Sequence, residues 1–281
     1  MNMERLFIVG CPRSGTTLLQ SMLASHTEVV TFPETHFFSK TMPINSILRY
    51  LKLYGMKDRN IIINYLSTHR FDNIHPFQDI SDFKKFTHRQ WSLKLLTIID
   101  KMASSLEERT SVWIEKTPRH LHYISSIAST DLEVKFLHIL RNGVEVVASL
   151  HLATKNYPKE WGGIRSIDKC IKWWNNSIKA SKKYKNAPNH HFVVYDDLIE
   201  NPEKILLDIC CFLSIDFESD MVNQFHKTAQ RVTNHNEKWK SRNTKTTIQK
   251  SNKLYENFDS ETIKYITDKI LPVDLRQFCN Y

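Results

Sequence analysis

The segment Gly10-Cys11-Pro12-Arg13-Ser14-Gly15-Thr16-Thr17 constrains the fold more than any other stretch of the chain. An apolar run, Leu6 to Val9, precedes it, and a helical pattern, Leu18 to Leu23, follows it. A strand that turns tightly into a helix points several backbone amides, and the positive end of the helix dipole, at one place, which makes a site for an anion. Average usage would put about twenty glycines in a chain of this length. This chain has six, and two of them stand at the ends of this loop.

The rest of the chain alternates in the way such a loop requires. Short β-branched runs recur at Val29 to Phe32, Val112 to Ile114, Val134 to Leu140 and Phe192 to Tyr195, with longer helical patterns between them. That alternation predicts a single α/β domain across residues 1–281, with a P-loop-like central parallel sheet flanked by helices. Trp91, Leu95, Ile98, Met102 and Leu106 keep one apolar face over about four turns, which reads as core packing. Asn201-Pro202-Glu203 opens another helix, with Asn201 as its cap and Ile205, Leu206, Ile209, Cys210 and Leu213 as its buried face. Periodicity fades between about Lys155 and Ile167 and between about Thr233 and Tyr255, so both segments read as loops. The second is basic and long for a structureless connection, which makes 233–255 a candidate lid over a ligand.

The glycine loop is close to the nucleoside triphosphate signature, yet Thr16 stands where the signature needs lysine. Without that cation the β- and γ-phosphates lose their usual partner, which disfavours a nucleotide or small-molecule kinase. Arg13 supplies a cation in the loop instead, and its planar fork suits a terminal group with several oxygens. Here Pro12-Arg13-Ser14-Gly15-Thr16-Thr17 resembles the 5'-phosphosulfate loop of sulfotransferases that use 3'-phosphoadenosine 5'-phosphosulfate (PAPS), in the arginine form of the tyrosylprotein and bacterial enzymes. The resemblance runs through most of residues 4–215. It implies PAPS as donor co-substrate, 3'-phosphoadenosine 5'-phosphate (PAP) as product, and a fold similar to that of nucleotide kinases.

It also implies roles for single residues. Arg13, Ser14, Gly15, Thr16 and Thr17 hold the phosphosulfate. Arg141 and Ser149, eight positions apart after the strand Phe136 to Leu140, look like the pair that holds the 3'-phosphate, although Asn142-Gly143 departs from the commoner Asp-Pro. Tyr195 resembles the family's strand-end tyrosine at the nucleotide. Trp239 and Lys240 are similar to the closing segment, without its glycine-rich form. In Pro33-Glu34-Thr35-His36, Glu34 resembles the catalytic base of the tyrosylprotein branch, with His36 as the alternative. Apolar neighbours Phe32, Phe37 and Phe38 suggest a desolvated carboxylate at Glu34. Lys116, in Glu115-Lys116-Thr117-Pro118, matches the lysine that stabilises the leaving oxygen, beside Arg13. The implied acceptor is a small molecule with a hydroxyl or amine, such as a bacterial secondary metabolite.

Composition narrows the remaining classes. A formal net charge of +9, with Trp173, Trp174 and Trp239 among lysines, also admits a basic nucleic-acid-binding domain. The helical neighbours of Trp173-Trp174 favour packing over base stacking, so no nucleic-acid partner is expected. His120-x-His122 and His190-His191 lack acidic or thiol partners at ligand spacing, and no metal is expected. Five scattered cysteines without a Cys-x-x-Cys pair read as reduced thiols. The apolar run at the start is short for a signal peptide and none is long enough to span a bilayer, which predicts a cytoplasmic enzyme without membrane partners. The sequence carries no signal of oligomeric state.

Overall fold

The structure, a computed structural model, describes residues 3–75, 85–106, 110–232 and 253–279. Five strands, β1 (Glu4–Gly10), β2 (Val29–Thr31), β3 (Val112–Lys116), β4 (Lys135–Leu140) and β5 (His190–Val194), form one sheet in the order β2-β3-β1-β4-β5. Every pairing is parallel, with Leu6 opposite Ile114 on one side of β1 and opposite Lys135 on the other. Parallel neighbours need long crossovers, and helices supply them on both faces.

Because side chains alternate along a strand, β1 feeds two cores at once. Leu6 and Ile8 pack with Leu18, Leu19 and Met22 of α1 (Thr16–Leu23) and with Ile205, Leu206 and Ile209 of the helix Pro202–Leu213. Phe7 and Val9 face the opposite way, against Trp91, Leu95, Ile98 and Met102 of the helix His88–Ser104. A third cluster joins the helices Gly143–Asn156 and Ile167–Lys182 through Val147, Leu150, Ile171 and Trp174. The two β1-centred cores clamp the sheet, and β1, the central strand, delivers the glycine loop to its carboxyl edge. Chain connections leave β1 towards β2 on one side and add β4 and β5 on the other. That is the switch point at which open parallel sheets bind ligands.

Several sequence expectations change in detail. Leu106 lies beyond the end of its helix and is 45% exposed, whereas the other four stripe residues are buried. Asn201 makes no side-chain cap, although Pro202 opens the helix and its five apolar residues are buried as expected. Tyr195 is the first residue of a short helix, Tyr195–Glu200, rather than the last of β5. The segment 155–167 is partly helical, since the helix Gly143–Asn156 runs into it and Pro158–Trp161 adds a turn. Of the candidate lid 233–255, residues 233–252, with Trp239 and Lys240, lie outside the described residues. Its last three begin the helix Lys253–Asn257, whose Leu254 is buried in the third cluster. All five cysteines are free. No helix among the described residues is long and apolar enough to cross a membrane.

Candidate active site

The loop after β1 is shaped by two left-handed residues, Arg13 at φ 79° and Gly15 at φ 98°. Gly15 is required twice over. It takes a backbone conformation that costs other residues energy, and a Cβ there would lie 2.3 Å from Cδ2 of Tyr195. The loop backbone thus rests on the Tyr195 ring. Thr16 and Thr17 open α1 and are buried, as is Ser14. Arg13 reaches across to the helix Gly143–Asn156 after β4, where its Nε donates to Ser149 Oγ at 3.3 Å.

Arg141 sits at the carboxyl end of β4, 7% exposed, with its guanidinium 4.1 Å above the Tyr195 ring. Its Nε and Nη2 both donate to Glu145 Oε2, at 3.0 and 2.5 Å. Tyr195 is therefore a shared floor, with the phosphate loop on one part of the ring and Arg141 on another. The structure brings Arg13 and Ser149 into contact, and Arg141 and Tyr195. Arg141 and Ser149, paired in the sequence reading, meet different partners. The Asn142-Gly143 departure has a local cause: Asn142 Oδ1 accepts from the amides of Val144 and Glu145 and caps the helix Gly143–Asn156. A Cβ on Gly143 would lie 2.9 Å from the Trp174 ring, whose Nε1 donates to the Arg141 carbonyl.

On the other side of β1, Lys116 ends β3 with 1% exposure. Its Nζ lies 2.5 Å from Glu34 Oε1 and donates to Thr17 Oγ1 at 3.2 Å. Glu34 Oε2 faces His36 Nε2 at 3.4 Å. The carboxylate therefore meets an ammonium and an imidazole, whereas Phe32, Phe37 and Phe38 turn into the core. Burial, against the pull of Glu34, lowers His36 to about 4, so the imidazole is neutral at pH 7. Its backbone is left-handed, at φ 55°. A non-glycine residue held there costs on the order of 1–3 kcal/mol and must be fixed by its surroundings.

What fixes it is a residue the sequence reading passed over. Glu115 is fully buried and accepts from Thr35 N at 3.2 Å, Thr35 Oγ1 at 2.8 Å, Thr117 Oγ1 at 2.6 Å and His120 Nδ1 at 2.8 Å. Thr117 Oγ1 in turn accepts from the His36 amide at 3.2 Å. One carboxylate thus ties the residue after Glu34 to the residue after Lys116. Burial alone would raise Glu115, but His120 and the two threonine hydroxyls outweigh it and hold it below its usual value. A glutamate inside an apolar β-run with hydroxyls on both sides was the available signal. Glu145 was equally legible, four residues after Arg141, where helical spacing puts a carboxylate within reach of a cation.

The assembled edge carries three cations: Lys116 on the β3 side of β1, Arg13 in the loop that leaves β1, and the stacked Arg141 on the β4 side. The architecture recurs among solved structures. The sulfotransferase domain of the curacin biosynthetic pathway superposes with a TM-score of 0.52 at 18% identity, over 99% of this chain and 95% of that one. The sulfotransferase domain of the Synechococcus PCC 7002 olefin synthase gives 0.50 at 18% identity, over 99% and 93%. Among curated proteins, protein-tyrosine sulfotransferase 1 of Danio rerio is 25% identical over 217 residues, 76% of this chain and 54% of that protein. An uncharacterized protein of Aquifex aeolicus (strain VF5) is 23% identical over 236 residues, 81% of this chain and 27% of that protein. The chain spans about half, or less, of the length of these relatives. The sulfotransferase family model matches residues 5–219, a span that holds the five strands but for Glu4 and every site residue from Arg13 to Tyr195. On that match the chain belongs to the sulfotransferase family.

Proposed function

We propose that the protein transfers the sulfuryl group of PAPS to a hydroxyl or amine of a small-molecule acceptor, with Glu34 as the base. The observation that carries this reading is the meeting of Glu34, Lys116 and Thr17 at 2.5 and 3.2 Å, where the base segment touches the phosphate loop. A transfer centre has to join the acceptor's proton to the donor's leaving oxygen, and this contact joins the two segments that would serve them.

In the proposed step the acceptor oxygen attacks sulfur in line as its proton passes to Glu34. The bond between sulfur and the bridging phosphate oxygen breaks, leaving a sulfate ester and PAP. Lys116 meets the charge that develops on the bridging oxygen, and Arg13 grips the sulfuryl oxygens. Arg141, stacked on Tyr195, takes the 3'-phosphate, with Ser149 reached through the same helix; an incoming phosphate would compete with Glu145 for the guanidinium. The residues fit a donor that carries its charge in two phosphates and a sulfuryl group, because two separate arginines serve two separate sites.

The test is label transfer from PAPS to a panel of hydroxyl and amine acceptors, with and without EDTA. Transfer that EDTA leaves unchanged is expected, since the two cations are protein groups. Phosphoryl transfer from ATP that needs magnesium, with PAPS inert, would support the kinase reading instead.

A further inference from the structure

Two arginines share one ring and have no acidic counter-ion among the described residues. Arg119 is three residues beyond Lys116, on the 3-10 turn Pro118–Tyr123, and is exposed. Arg165 lies in the turn before the helix Ile167–Lys182. Their guanidinium carbons lie 5.4 and 4.4 Å from the centroid of the same ring, Trp173. Neither forms an ion pair with an acidic side chain among the described residues.

Arg165 is held as firmly as a ligand-binding group needs to be. Its amide donates to Thr154 Oγ1 at 3.1 Å, its carbonyl accepts from His151 Nδ1 at 2.8 Å, and its Nη2 donates to the Trp161 carbonyl at 3.0 Å. The first two of these three contacts come from the helix that carries Ser149. Nη1 remains buried without a partner among the described residues. The local field is positive: burial, then Arg119, Arg49 and Lys183, lower His122 to about 4. Arg119 also lowers Arg165, after burial. Like charges on one ring repel, and an unpartnered N–H on a fixed guanidinium is what an oxyanion would satisfy.

The cluster also lies at the working edge of the sheet. All strands are parallel, so the helix Ile167–Lys182, which leads down to the start of β5, begins at the carboxyl edge. Trp174, beside Trp173, donates to the Arg141 carbonyl at 3.1 Å. We propose that Arg119 and Arg165 form a subsite for an oxyanion group of the acceptor. The acceptor is then an anionic molecule that bears a carboxylate, phosphate or sulfate apart from the group it presents to Glu34. This rests on the sulfotransferase reading of the Glu34 centre.

The test is calorimetric titration of PAP-saturated protein with inorganic phosphate, for the wild type, Arg119→Ala and Arg165→Lys. Arg119 is exposed, so its truncation leaves the fold intact, and Arg165→Lys keeps charge and stem while removing the fork. Saturable phosphate binding to the wild type is expected, weakened at least about tenfold in both variants, with PAP affinity within about twofold of wild type. Equal phosphate affinity in all three proteins would put the phosphate at the transfer centre and overturn the proposal. So would absence of phosphate binding to PAP-saturated wild type. A loss of PAP affinity in the variants would assign the arginines to the nucleotide, and also overturns it. If PAP itself does not bind, the sulfotransferase reading fails first; if PAP binds and phosphate behaves otherwise than expected, only the subsite fails.

Discussion

Glu34 and His36 stand two positions apart and face each other at 3.4 Å, yet they are not equivalent candidates for the base. Glu34 is tied to Lys116 and through it to the phosphate loop, whereas His36 is a neutral ring whose amide is pinned to Thr117. Substituting Glu34→Gln keeps size and removes the base. Turnover on a hydroxyl acceptor is expected to fall about 100-fold or more, with PAP affinity nearly unchanged. His36→Ala is expected to be far milder. Steady-state rates with calorimetric PAP affinities check both, and near-normal turnover in Glu34→Gln beside an inactive His36→Ala would transfer the role to His36.

At the scale of elements, the sequence was legible wherever local chemistry decides. The runs Leu6 to Val9 and Val134 to Leu140 became central strands because both faces of β1 and β4 are buried, which continuous apolar runs announce. The glycine loop, Arg141 and Lys116 could be placed because each follows a strand, and parallel strands deliver their carboxyl ends to one edge. Tertiary contacts decided the rest. Tyr195 left its strand to become a floor beneath Gly15 and Arg141, a role set by a ring contact that no spacing reveals. Ser149 accepts from Arg13, while the Arg141 fork is taken by Glu145. Segment 155–167 reads as a polar loop, yet it holds the short helix Pro158–Trp161, and Arg165 meets the Trp161 and Trp173 rings at 5.4 and 4.4 Å, contacts that no spacing reveals.

Over the whole molecule, buried histidines couple stability to pH. His138 and His190 join β4 to β5 through a contact of 2.8 Å, and burial lowers His138 well below its usual value and His190 to about 4. His36 and His122 are likewise lowered to about 4, chiefly by burial. Below about 6.5 the unfolded chain binds protons that these folded groups refuse. Stability is therefore lost as pH falls from about 6.5 towards 4, and Glu115, held below its usual value, extends the loss at the acid end. The midpoint of urea unfolding is expected to decline steadily across that window and to stay level above pH 7; a midpoint unchanged down to pH 5 would show that these rings are not buried neutral.

The same sheet that buries those rings gathers Arg13, Lys116, Arg141 and Tyr195 at one edge, and the central claim is that this edge accepts a nucleotide with a 3'-phosphate. The most direct measurement is the shift in melting temperature on adding PAP or ATP to the wild type and to Arg141→Ala. At about 100 times its dissociation constant PAP is expected to stabilise the wild type by roughly 2.7 kcal/mol, with ATP far behind. In Arg141→Ala, PAP affinity is expected to drop by about 1.5–3 kcal/mol, the range for a lost charge-assisted hydrogen bond. Equal stabilisation by ATP and PAP, unaltered by Arg141→Ala, would contradict the account.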